Sequence, residues 1–519
     1  MKPRRLAIIG AGSSGLVTLK NAIDRLPDWE IVCYEKGTAT IGCWGNPYPG
    51  FVSTSTKYTT QFTSFVKWDC EADPANRPTK SDFFLGDEYG RYLNDFADHF
   101  GLRKHIQLET AVRKIRKVDG RWTLSIDHHS TTRDEQFDKL IICTGLVTNA
   151  KHIETDIPLL KYGDPPPSDS TILVLGAGES GADIAHRLAE PSLKNQIYLS
   201  LKTGVRVSPR YHPIRGVPSD FLRNRLMLSI HRDLRNRIGQ KFVEARIRHQ
   251  ELFESIFGGK SQPSEKPTST AEKRKHWDAK LTARAKDELF NVFHTKSDDF
   301  LDDVAEDRIK IIGPPVDDNH RKFTDFDGDE TVEIEPDYIC QMIGFSSGLE
   351  QISDGEICLQ DFYEGCAHVS HDDLFLVGFT RPIIGNIPTI SEMQAKYVTG
   401  LIAGEFDRPE DIEQRHAAEQ KEHAATFKNL NTKTIRPVEM FPYCDRLARM
   451  MDCYPTRRKI GSTKAWIKTL LAPASTMHYV DSDHDPKAVS ADKIHSPIII
   501  TSLLVLIKAL QKPLLWIMR

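Results

Sequence analysis

Two stretches of this chain repeat the same order of apolar and polar positions. The first reads "LAIIGAGSSGLVTLKNAI" from Leu6 and continues into "WEIVCYEK", while the second begins at Thr171 and ends near Ser200. In each, a short apolar run enters a glycine-rich turn, continues with helical periodicity and returns to an apolar run. This order is typical of a parallel βαβ unit. Its repetition predicts an α/β fold with two Rossmann-like domains.

The first turn carries Gly10, Gly12 and Gly15 between a predicted strand and a predicted helix. The first glycine permits the tight bend, the second lets a pyrophosphate approach the backbone, and the third lets helix and strand pack closely. Free N–H groups at the helix start then face the phosphates. Glu35 ends the next strand, where it can accept hydrogen bonds from a ribose diol and would repel a 2′-phosphate. The first unit is therefore predicted to hold FAD or NAD, and a turn without a ligand is the alternative.

The second turn repeats this spacing at Gly176, Gly178 and Gly181, but no acidic residue ends the strand that follows. Ser200 and Lys202 stand there instead, and a hydroxyl together with a cation suits a 2′-phosphate. The second unit is therefore predicted to bind NADP(H), unless Lys202 is only a solvated surface lysine. Two units of opposite preference indicate two dinucleotides, one of which reduces the other.

These motifs and three further stretches resemble the flavin-containing monooxygenases, a group of class B flavoprotein monooxygenases. The stretches are "IGCW" after the first unit, "CTG" at residues 143–145 and "VGFTRPIIGNIPTISEMQAKYVTGLIAG" at residues 377–404. The last is similar to the GxxxPxGxxxPxxExQA segment with which the family closes its FAD domain. The similarity covers roughly residues 4–455.

The resemblance implies two dinucleotide-binding domains, with the NADP domain inserted into the FAD domain, and a hydrophobic C-terminal helix. The expected division is 1–165 and 335–455 for the two parts of the FAD domain, 166–334 for the NADP domain and 456–519 for a tail. It also implies that NADPH reduces FAD. The reduced flavin then captures O2 as a C4a-hydroperoxyflavin, which oxygenates a soft nitrogen or sulfur nucleophile.

The expected site residues come from the same motifs. On the FAD side they are Gly10, Gly12, Ser14, Gly15, Glu35, Trp44, Ser55, Thr144 and Gly145, and on the NADP side Gly176, Gly178, Ser180, Gly181, Ser200 and Lys202. Thr54 is the expected catalytic residue, because it stands where the family usually has an asparagine that faces flavin and nicotinamide. A threonine hydroxyl reaches less far, so a shorter peroxyflavin lifetime is expected. A plain loop threonine is the alternative.

The connection from Gly145 to Thr171 departs from the family. It lacks the usual FxGxxxHxxxY/F motif, of which only "KYGD" with Tyr162 remains, and it is shorter. The coupling of the two domains is therefore expected to be altered. A second hinge-like stretch, "MIGF" at residues 342–345, keeps a glycine and an aromatic residue, so its backbone is expected to be retained.

Other functions stay open from the sequence. A Baeyer–Villiger monooxygenase shares the fold and cofactors, an NADPH oxidase would release peroxide, and a non-catalytic membrane-bound homologue would not retain FAD. A disulfide-type flavin reductase needs a CxxC or CxxxxC pair, which the nine cysteines do not provide.

The composition of the chain limits the kinds of binding partner that are expected. A net charge of −3 over 519 residues does not suggest nucleic-acid binding, so a small nucleophilic substrate and O2 are the expected partners. His368 and His371 in "HVSH" have metal-like spacing without an evident third ligand, so no metal is expected. The odd number of cysteines favours a reducing compartment. These patterns do not indicate an oligomeric state.

Two segments predict contact with a membrane. Residues 496–518, "SPIIITSLLVLIKALQKPLLWIM", are apolar apart from Lys508 and Lys512, and they could span a bilayer, lie in its interface or form a buried terminal helix. Residues 222–238 alternate leucine and isoleucine with arginines, which predicts a basic amphipathic helix on a membrane surface or one packed on the second domain. The expected location is the cytosolic face of a membrane, the endoplasmic reticulum in a eukaryote. A soluble cytoplasmic protein is the alternative.

Overall fold

The structure, a computed structural model, describes residues 3–45, 47–72, 79–129, 131–147, 149–212, 216–257, 268–285, 291–481 and 492–518. Its α/β class and its two dinucleotide-binding-type sheets confirm the fold predicted from the sequence. The strands are β1 Arg5–Ile9, β2 Glu30–Tyr34, β3 Val52–Thr56, β4 Phe83–Leu85, β5 Ile106–Gln107, β6 Thr110–Val118, β7 Arg121–His128, β8 Thr131–Phe137, β9 Lys139–Ile142, β10 Asn149–Ala150, β11 Thr171–Leu175, β12 Gln196–Ser200, β13 Arg206–Ser208, β14 His294–Lys296, β15 Ile309–Pro315, β16 Lys322–Asp325, β17 Thr331–Glu333, β18 Tyr338–Gln341, β19 Phe345–Ser346, β20 Phe362–Tyr363, β21 Ala367–His368, β22 Leu374–Leu376, β23 Thr380–Pro382 and β24 Arg436–Val438. The helices are α1 Ser13–Arg25, α2 Lys57–Thr60, α3 Glu88–His99, α4 Glu179–Leu188, α5 Arg225–Leu228, α6 Arg232–Arg248, α7 Gln250–Phe257, α8 Thr268–Arg284, α9 Phe300–Ala305, α10 Leu349–Ile352, α11 Ile387–Ala403, α12 Ile412–Thr426, α13 Met440–Met450, α14 Arg457–Ile460, α15 Thr463–Leu471 and α16 Ile498–Met518.

The first sheet has seven strands in the order β20-β21-β22-β9-β1-β2-β5. Strand β1 runs parallel to both β2 and β9, so their carboxyl ends meet at one edge beside the first glycine turn. Helices α1 and α11 pack against each other in a large apolar core on this sheet. The apolar runs of the sequence form these strands because both faces of a parallel sheet are buried.

The second sheet has six strands in the order β17-β16-β15-β12-β11-β18. Strand β11 is parallel to β12 and to β18, which repeats the centre of the first sheet. Because β18 spans Tyr338–Gln341, this sheet extends past residue 334, the predicted end of the second domain. The division into segments stays a prediction.

The described part of the connection between the sheets runs alongside β18. Strand β10 pairs with β19, the amide of Lys151 donates to the carbonyl of Gly344, and the amide of Leu160 donates to β18. Gly145 and Gly344 both have positive φ, at +77° and +93°, which glycine adopts without strain. The "MIGF" stretch thus forms the expected turn, and backbone hydrogen bonds hold the short connection in place.

Residues 222–238 are not the single basic amphipathic helix that the sequence predicts. They divide into α5 and the start of α6, with a break between the two. Arg225 and Arg235 turn inward, where the first contacts Asp445 at 3.4 Å and the second pairs with Glu439. Carboxylates from a distant part of the chain attract these arginines, which a charge pattern along one segment cannot reveal. Both carboxylates lie in the second part of the predicted FAD domain, so these two arginines contact that part of the chain and not the second domain.

The apolar C-terminal segment forms one helix, α16, of 21 residues. Its inner face packs on Ile230 and Leu234. Its outer face is exposed, from Ile498 (85 %) to Trp516 (78 %). By length and composition alone, the helix over Ile498–Trp516 is long and apolar enough to cross a membrane. The helix nevertheless lies along the body of the protein.

Between α15 and α16 the chain returns through the core of the molecule. His478 is fully buried and accepts a hydrogen bond from Arg225 at 2.6 Å. Asp481 pairs with the buried Lys396 of α11, also at 2.6 Å. Ala474 belongs to the apolar core that includes α1. The tail is therefore an integral part of the fold that supports the first sheet.

Candidate functional site

One large cavity connects the two glycine turns. Its volume is about 2150 Å³, and Gly10 and Gly12 line one side while Gly176 and Gly178 line the other. Pockets for one small molecule are typically about 300–1,000 Å³, so this space is sufficient for two dinucleotides and a substrate. Both turns follow the carboxyl ends of parallel strands, where ligands bind in open α/β folds.

The first turn has the geometry that its glycine spacing predicts. Gly10 has φ +98°, and a Cβ there would lie 2.9 Å from the carbonyl oxygen of Cys143. A Cβ on Gly15 would lie 1.8 Å from the carbonyl oxygen of Gly10, so α1 approaches β1 this closely only with glycine. At Gly12 the nearest atom, in Gly42, would be 3.5 Å away. The start of α1 therefore stays open toward the cavity.

Glu35 is fixed beside this turn. Its carboxylate accepts the amide of Ala11 at 2.7 Å and the amide of Gly37 at 2.8 Å. Each oxygen keeps further acceptor capacity, which suits ribose hydroxyls. No acidic residue lies in the first turn of α1, and no side chain caps it. The free amides at the start of α1 and the carboxylate of Glu35 together fit an FAD whose pyrophosphate lies on the N-terminus of α1.

The other residues expected near a flavin lie around the same end of the cavity. Those that line it are Ser14, Trp44, Ser55, Thr144 and Gly145. The hydroxyl of Ser14 is 2.9 Å from that of Ser391 on α11. Ser14 therefore joins α1 to α11, while Gly15 acts through packing alone.

The second turn closely repeats the first. Gly176 has φ +95°, and a Cβ there would lie 2.6 Å from the carbonyl oxygen of Met342. A Cβ on Gly181 would lie 2.0 Å from the carbonyl oxygen of Gly176. At Gly178 no heavy atom of the described residues would lie within 4 Å. This is the open position at which a pyrophosphate can approach the backbone.

The three polar residues predicted for the second nucleotide differ in their surroundings. Lys202 is exposed and lines the cavity. Ser200 also lines it, but its buried hydroxyl donates to the carbonyl of Gly313 at 2.8 Å. Ser180 does not line the cavity, and its hydroxyl contacts Tyr162. Lys202 is thus the best placed of the three to meet a 2′-phosphate.

Thr54 and its neighbour Ser55 lie on β3 and line the cavity. Next to them, Asp220 pairs with Lys296 at 2.6 Å and accepts the amide of Thr56 at 2.9 Å. Burial disfavours the charge on Asp220, but Lys296 outweighs it and holds the pKa of this carboxyl below its usual range. The wall beside Thr54 is therefore fixed by an ionised pair.

Residues that belong to none of the sequence motifs join the two halves of the site. Tyr48 donates to Asp183 of α4 at 2.5 Å, and Arg210 donates to the carbonyl of Ser53 on β3 at 3.1 Å. The ring of Tyr162, the remnant of the missing motif, lies 4.9 Å from that of Tyr48. Burial raises the pKa of Asp183, although Arg210 opposes the shift. No local motif signals these contacts, because each joins distant parts of the chain.

Comparison with known proteins decides the family. The family model for flavin-binding monooxygenase-like proteins matches residues 3–265, which is more than half of the chain and includes both glycine turns. The chain belongs to the flavin-binding monooxygenase-like family. It is an FAD-dependent monooxygenase with NADPH as reductant, as the resemblance implies.

Relatives of this monooxygenase cover most of its length. A 4-hydroxybenzoate brominase (decarboxylating) from Marinomonas mediterranea is 25% identical over 87% of this chain and 84% of its own. Flavin-containing monooxygenase 5 from Rattus norvegicus is 23% identical over 92% and 89%.

Solved structures share the fold. S-allyl-L-cysteine S-oxygenase from Allium sativum has a TM-score of 0.55 and 16% identity, covering 86% of this chain and 88% of its own. Cyclohexanone monooxygenase from Rhodococcus sp. Phi1 bound to NADP+ has a TM-score of 0.56 and 16% identity, covering 87% and 98%.

The described part of the monooxygenase contains no group of three or more His, Cys, Asp or Glu side chains that could hold a metal ion. The Nδ1 atom of His368 accepts the amides of Ser370 and His371, each at 3.1 Å. The "HVSH" spacing therefore forms a local turn.

Proposed function

We propose that this monooxygenase transfers one oxygen atom of O2 to a soft nitrogen or sulfur atom of a largely apolar small molecule. The observation that carries the proposal is the cavity, which extends from the glycine turns to a wall formed by α6 and α16. The apolar residues of α6 and α16 that line it are Ile238, Phe242, Val243, Ile500, Leu503, Leu504 and Ile507, and Ile230 and Val292 line it from outside these helices. Such a lining favours an apolar substrate.

The residues of the chain hold and order the reactants. Glu35 and the start of α1 would bind the adenosine and pyrophosphate of FAD, and Lys202 would attract the 2′-phosphate of NADPH. Thr54 offers a hydroxyl between the two turns, and apolar walls keep water from the reacting atoms. Bound FAD supplies the oxygen-transfer chemistry. A neutral thioether or amine needs no proton removed by the protein before it reacts.

The test is product formation by the purified full-length protein in detergent, loaded with FAD. Thioanisole and N,N-dimethylaniline are supplied with NADPH and O2, and sulfoxide, N-oxide and hydrogen peroxide are each measured against NADPH consumed. We expect oxygenated product to account for a substantial share of the NADPH. Lactone formation from cyclohexanone without sulfoxide or N-oxide would instead assign a Baeyer–Villiger monooxygenase.

Two further outcomes would also replace the proposal. Because one relative is a 4-hydroxybenzoate brominase, 4-hydroxybenzoate with bromide is supplied as a further substrate pair, and bromophenol as the sole product would assign a brominase. Peroxide equal to the NADPH consumed, with no organic product, would assign an NADPH oxidase. Thr54 in place of the family's asparagine is the observation that favours this second candidate.

We further propose that α16 lies in a membrane interface with its outer face in lipid, on the cytosolic side of a membrane. Its inner face stays packed on α6, while Ile498, Leu506 and Trp516 point outward and are exposed. An interfacial helix is released from vesicles by urea or alkaline carbonate, whereas a spanning helix is not. Flotation with phosphatidylcholine vesicles followed by carbonate treatment tests this. Retention after carbonate would assign a spanning helix, and no flotation would assign a soluble protein.

A further inference from the structure

An acidic residue stands at the start of α4, where the second glycine turn would receive a pyrophosphate. Glu179 is the first residue of α4 and lines the cavity together with Gly178. A carboxylate at this point complements the helix dipole but repels phosphates. The first glycine turn differs from the second in this respect, since the opening residues of α1 include no Asp or Glu. The second site therefore needs a positive charge that its own motif does not supply.

Arg381 supplies a positive charge from the other domain. It lies on β23, immediately before the segment that leads into α11, and it lines the cavity. Its guanidinium lies over the ring of Phe293, 4.0 Å from the ring centre. Two residues further along, the hydroxyl of Thr295 donates to the carbonyl of Ala177, inside the second glycine turn, at 2.7 Å. This short chain of contacts brings Arg381 close to the second turn.

The charges around Glu179 come from several elements. Arg381 on β23, Lys296 on β14 and Arg210 after β13 are positive, and Asp183 on α4 is negative. Lys296 is already paired with Asp220, and Arg210 contacts Asp183 at 3.4 Å. Lys296 also lies over a ring, that of Phe83 at 5.8 Å, but its ammonium is committed to Asp220. Arg381 lies over Phe293 at 4.0 Å, and a guanidinium on such a ring keeps its hydrogen-bond donors for an anion.

We propose that Arg381 binds the pyrophosphate of the nicotinamide dinucleotide on the second turn, and that Glu179 is its counter-charge when the nucleotide is absent. The inference rests on the assignment of the second turn to NADPH. Binding would turn the guanidinium toward the phosphates, with no covalent change. The FAD domain would thereby contribute a residue to the NADP site, and nucleotide binding would draw the two domains together.

A consequence is a pH dependence that belongs to Glu179. Burial raises the pKa of this carboxyl, with Arg381 and Lys296 opposing the shift. The protonated form does not repel phosphates, so NADP+ binds more tightly as the pH falls through this raised pKa. The 2′-phosphate of NADP+ also titrates. The contribution of Glu179 is therefore the difference between the wild type and E179Q in how the Kd of NADP+ changes with pH.

The experiment measures the Kd of NADP+ by calorimetry on the full-length, FAD-loaded protein. We expect R381Q to weaken NADP+ roughly tenfold or more, with R381K recovering part of the loss. We expect E179Q to bind NADP+ at least as tightly as wild type, to flatten the pH dependence and to restore part of the affinity in the double variant. Arg113→Gln, on the cavity wall near the first turn, is the matched control and should leave the Kd unchanged.

A second probe separates the pyrophosphate from the 2′-phosphate. The nucleotide 2′-AMP carries only the latter, so R381Q should leave its Kd unchanged while K202A weakens it. An R381Q protein that keeps flavin and wild-type thermal stability but binds NADP+ within twofold of wild type overturns the inference. A change in KM for an anionic substrate alone would also overturn it, since Arg381 would then bind substrate. A wild type that binds no NADP+ would overturn the NADPH assignment as well.

Discussion

The two glycine turns share a backbone and differ in charge. The first glycines have φ +98° and +95°, and a Cβ on the third glycine would lie 1.8 Å and 2.0 Å from the carbonyl of the first. The carboxylates differ in place. Glu35 stands beside the first turn and accepts two backbone amides, whereas Glu179 begins the helix of the second. Spacing therefore sets the shape of a dinucleotide site, and the residues around it set the ligand.

The two turns also differ in whether the residues around them come from one domain or from two. The residues around the first turn come from β1, from α1 and from the end of β2, and β1 and β2 are neighbours in one sheet. The second turn is contacted by Thr295 from β14 and lies near Arg381 from the FAD domain. A site completed by another domain can respond to domain movement, and a self-contained site cannot. This suits a flavin that stays bound and a reductant that comes and goes.

The largest expected effect comes from adding a methyl group at a crowded glycine, compared with adding one at an open glycine of the other turn. Gly15→Ala places a Cβ against the backbone of Gly10, which cannot yield, so we expect the free energy of unfolding to fall by about 3 kcal/mol and flavin to be lost. Gly178→Ala places its Cβ in open space and should leave folding and flavin intact. Flavin absorbance after desalting and thermal unfolding measure both. A yellow, stable Gly15→Ala protein would contradict the packing described for α1.

A smaller effect is expected when Glu35 loses its charge. Glu35→Gln keeps the shape but replaces a carboxylate that accepts the amides of Ala11 and Gly37. The carboxylate would also accept the ribose hydroxyls of FAD, and hydrogen bonds to charged groups contribute about 1.5–3 kcal/mol, so the Kd of FAD should rise between about tenfold and a hundredfold. Titration of the apoprotein with FAD, followed by flavin fluorescence, gives the value. Equal loss of NADP+ affinity would show that Glu35 does not serve the first turn specifically.

The choice of NADPH over NADH depends on the second turn and provides a further test. Lys202→Ala should raise the Kd of NADPH about tenfold, the loss of one charge-assisted contact, and leave that of NADH unchanged. Ser200→Ala is the matched control, because the Ser200 hydroxyl already donates to Gly313. Stopped-flow reduction of the flavin at varied NADPH and NADH yields both constants. If Ser200→Ala has the larger effect, the hydroxyl and not the lysine selects the phosphate.

The smallest expected effect compares the serines at the same place in each turn. Ser14→Ala removes the hydroxyl contact with Ser391 inside the core, and we expect a loss of about 1 kcal/mol in the free energy of unfolding. Ser180 is exposed, so Ser180→Ala should stay within about 0.5 kcal/mol of the wild type. Urea unfolding followed by tryptophan fluorescence measures both. Equal losses would mean that the two helices are supported alike.

The sequence was sufficient for the elements whose signal is local. The glycine spacing, the apolar runs on either side and the position of Glu35 depend on neighbouring residues, so they predicted both βαβ units. The family resemblance added the cofactors and the inserted domain. The pattern at residues 222–238 wrongly predicted a single basic amphipathic helix, because distant Asp445 and Glu439 bind two of its arginines.

Residues whose roles depend on distant partners could not be predicted in the same way. The sequence pairs Ser200 with Lys202, but only the neighbouring β15 strand reveals that Gly313 already accepts the hydroxyl of Ser200. Arg381 lies inside the stretch that most resembles the family, yet no sequence pattern indicated a role for it at the second turn. Its position relative to the second turn follows from Phe293 and Thr295, which lie nearly ninety residues earlier.

The path of the tail through the core has a consequence for how this protein is made. Buried Lys396 pairs with Asp481, and buried Arg225 donates to His478, so neither contact can form before residues 478–481 have been synthesised. The FAD domain therefore cannot complete its core until these residues have left the ribosome, although domains often fold during synthesis. A premature stop before Ala472 would leave those cations buried without these partners, and the truncated product would become a substrate for degradation. A stop at Pro497 would keep both of these partners and remove α16.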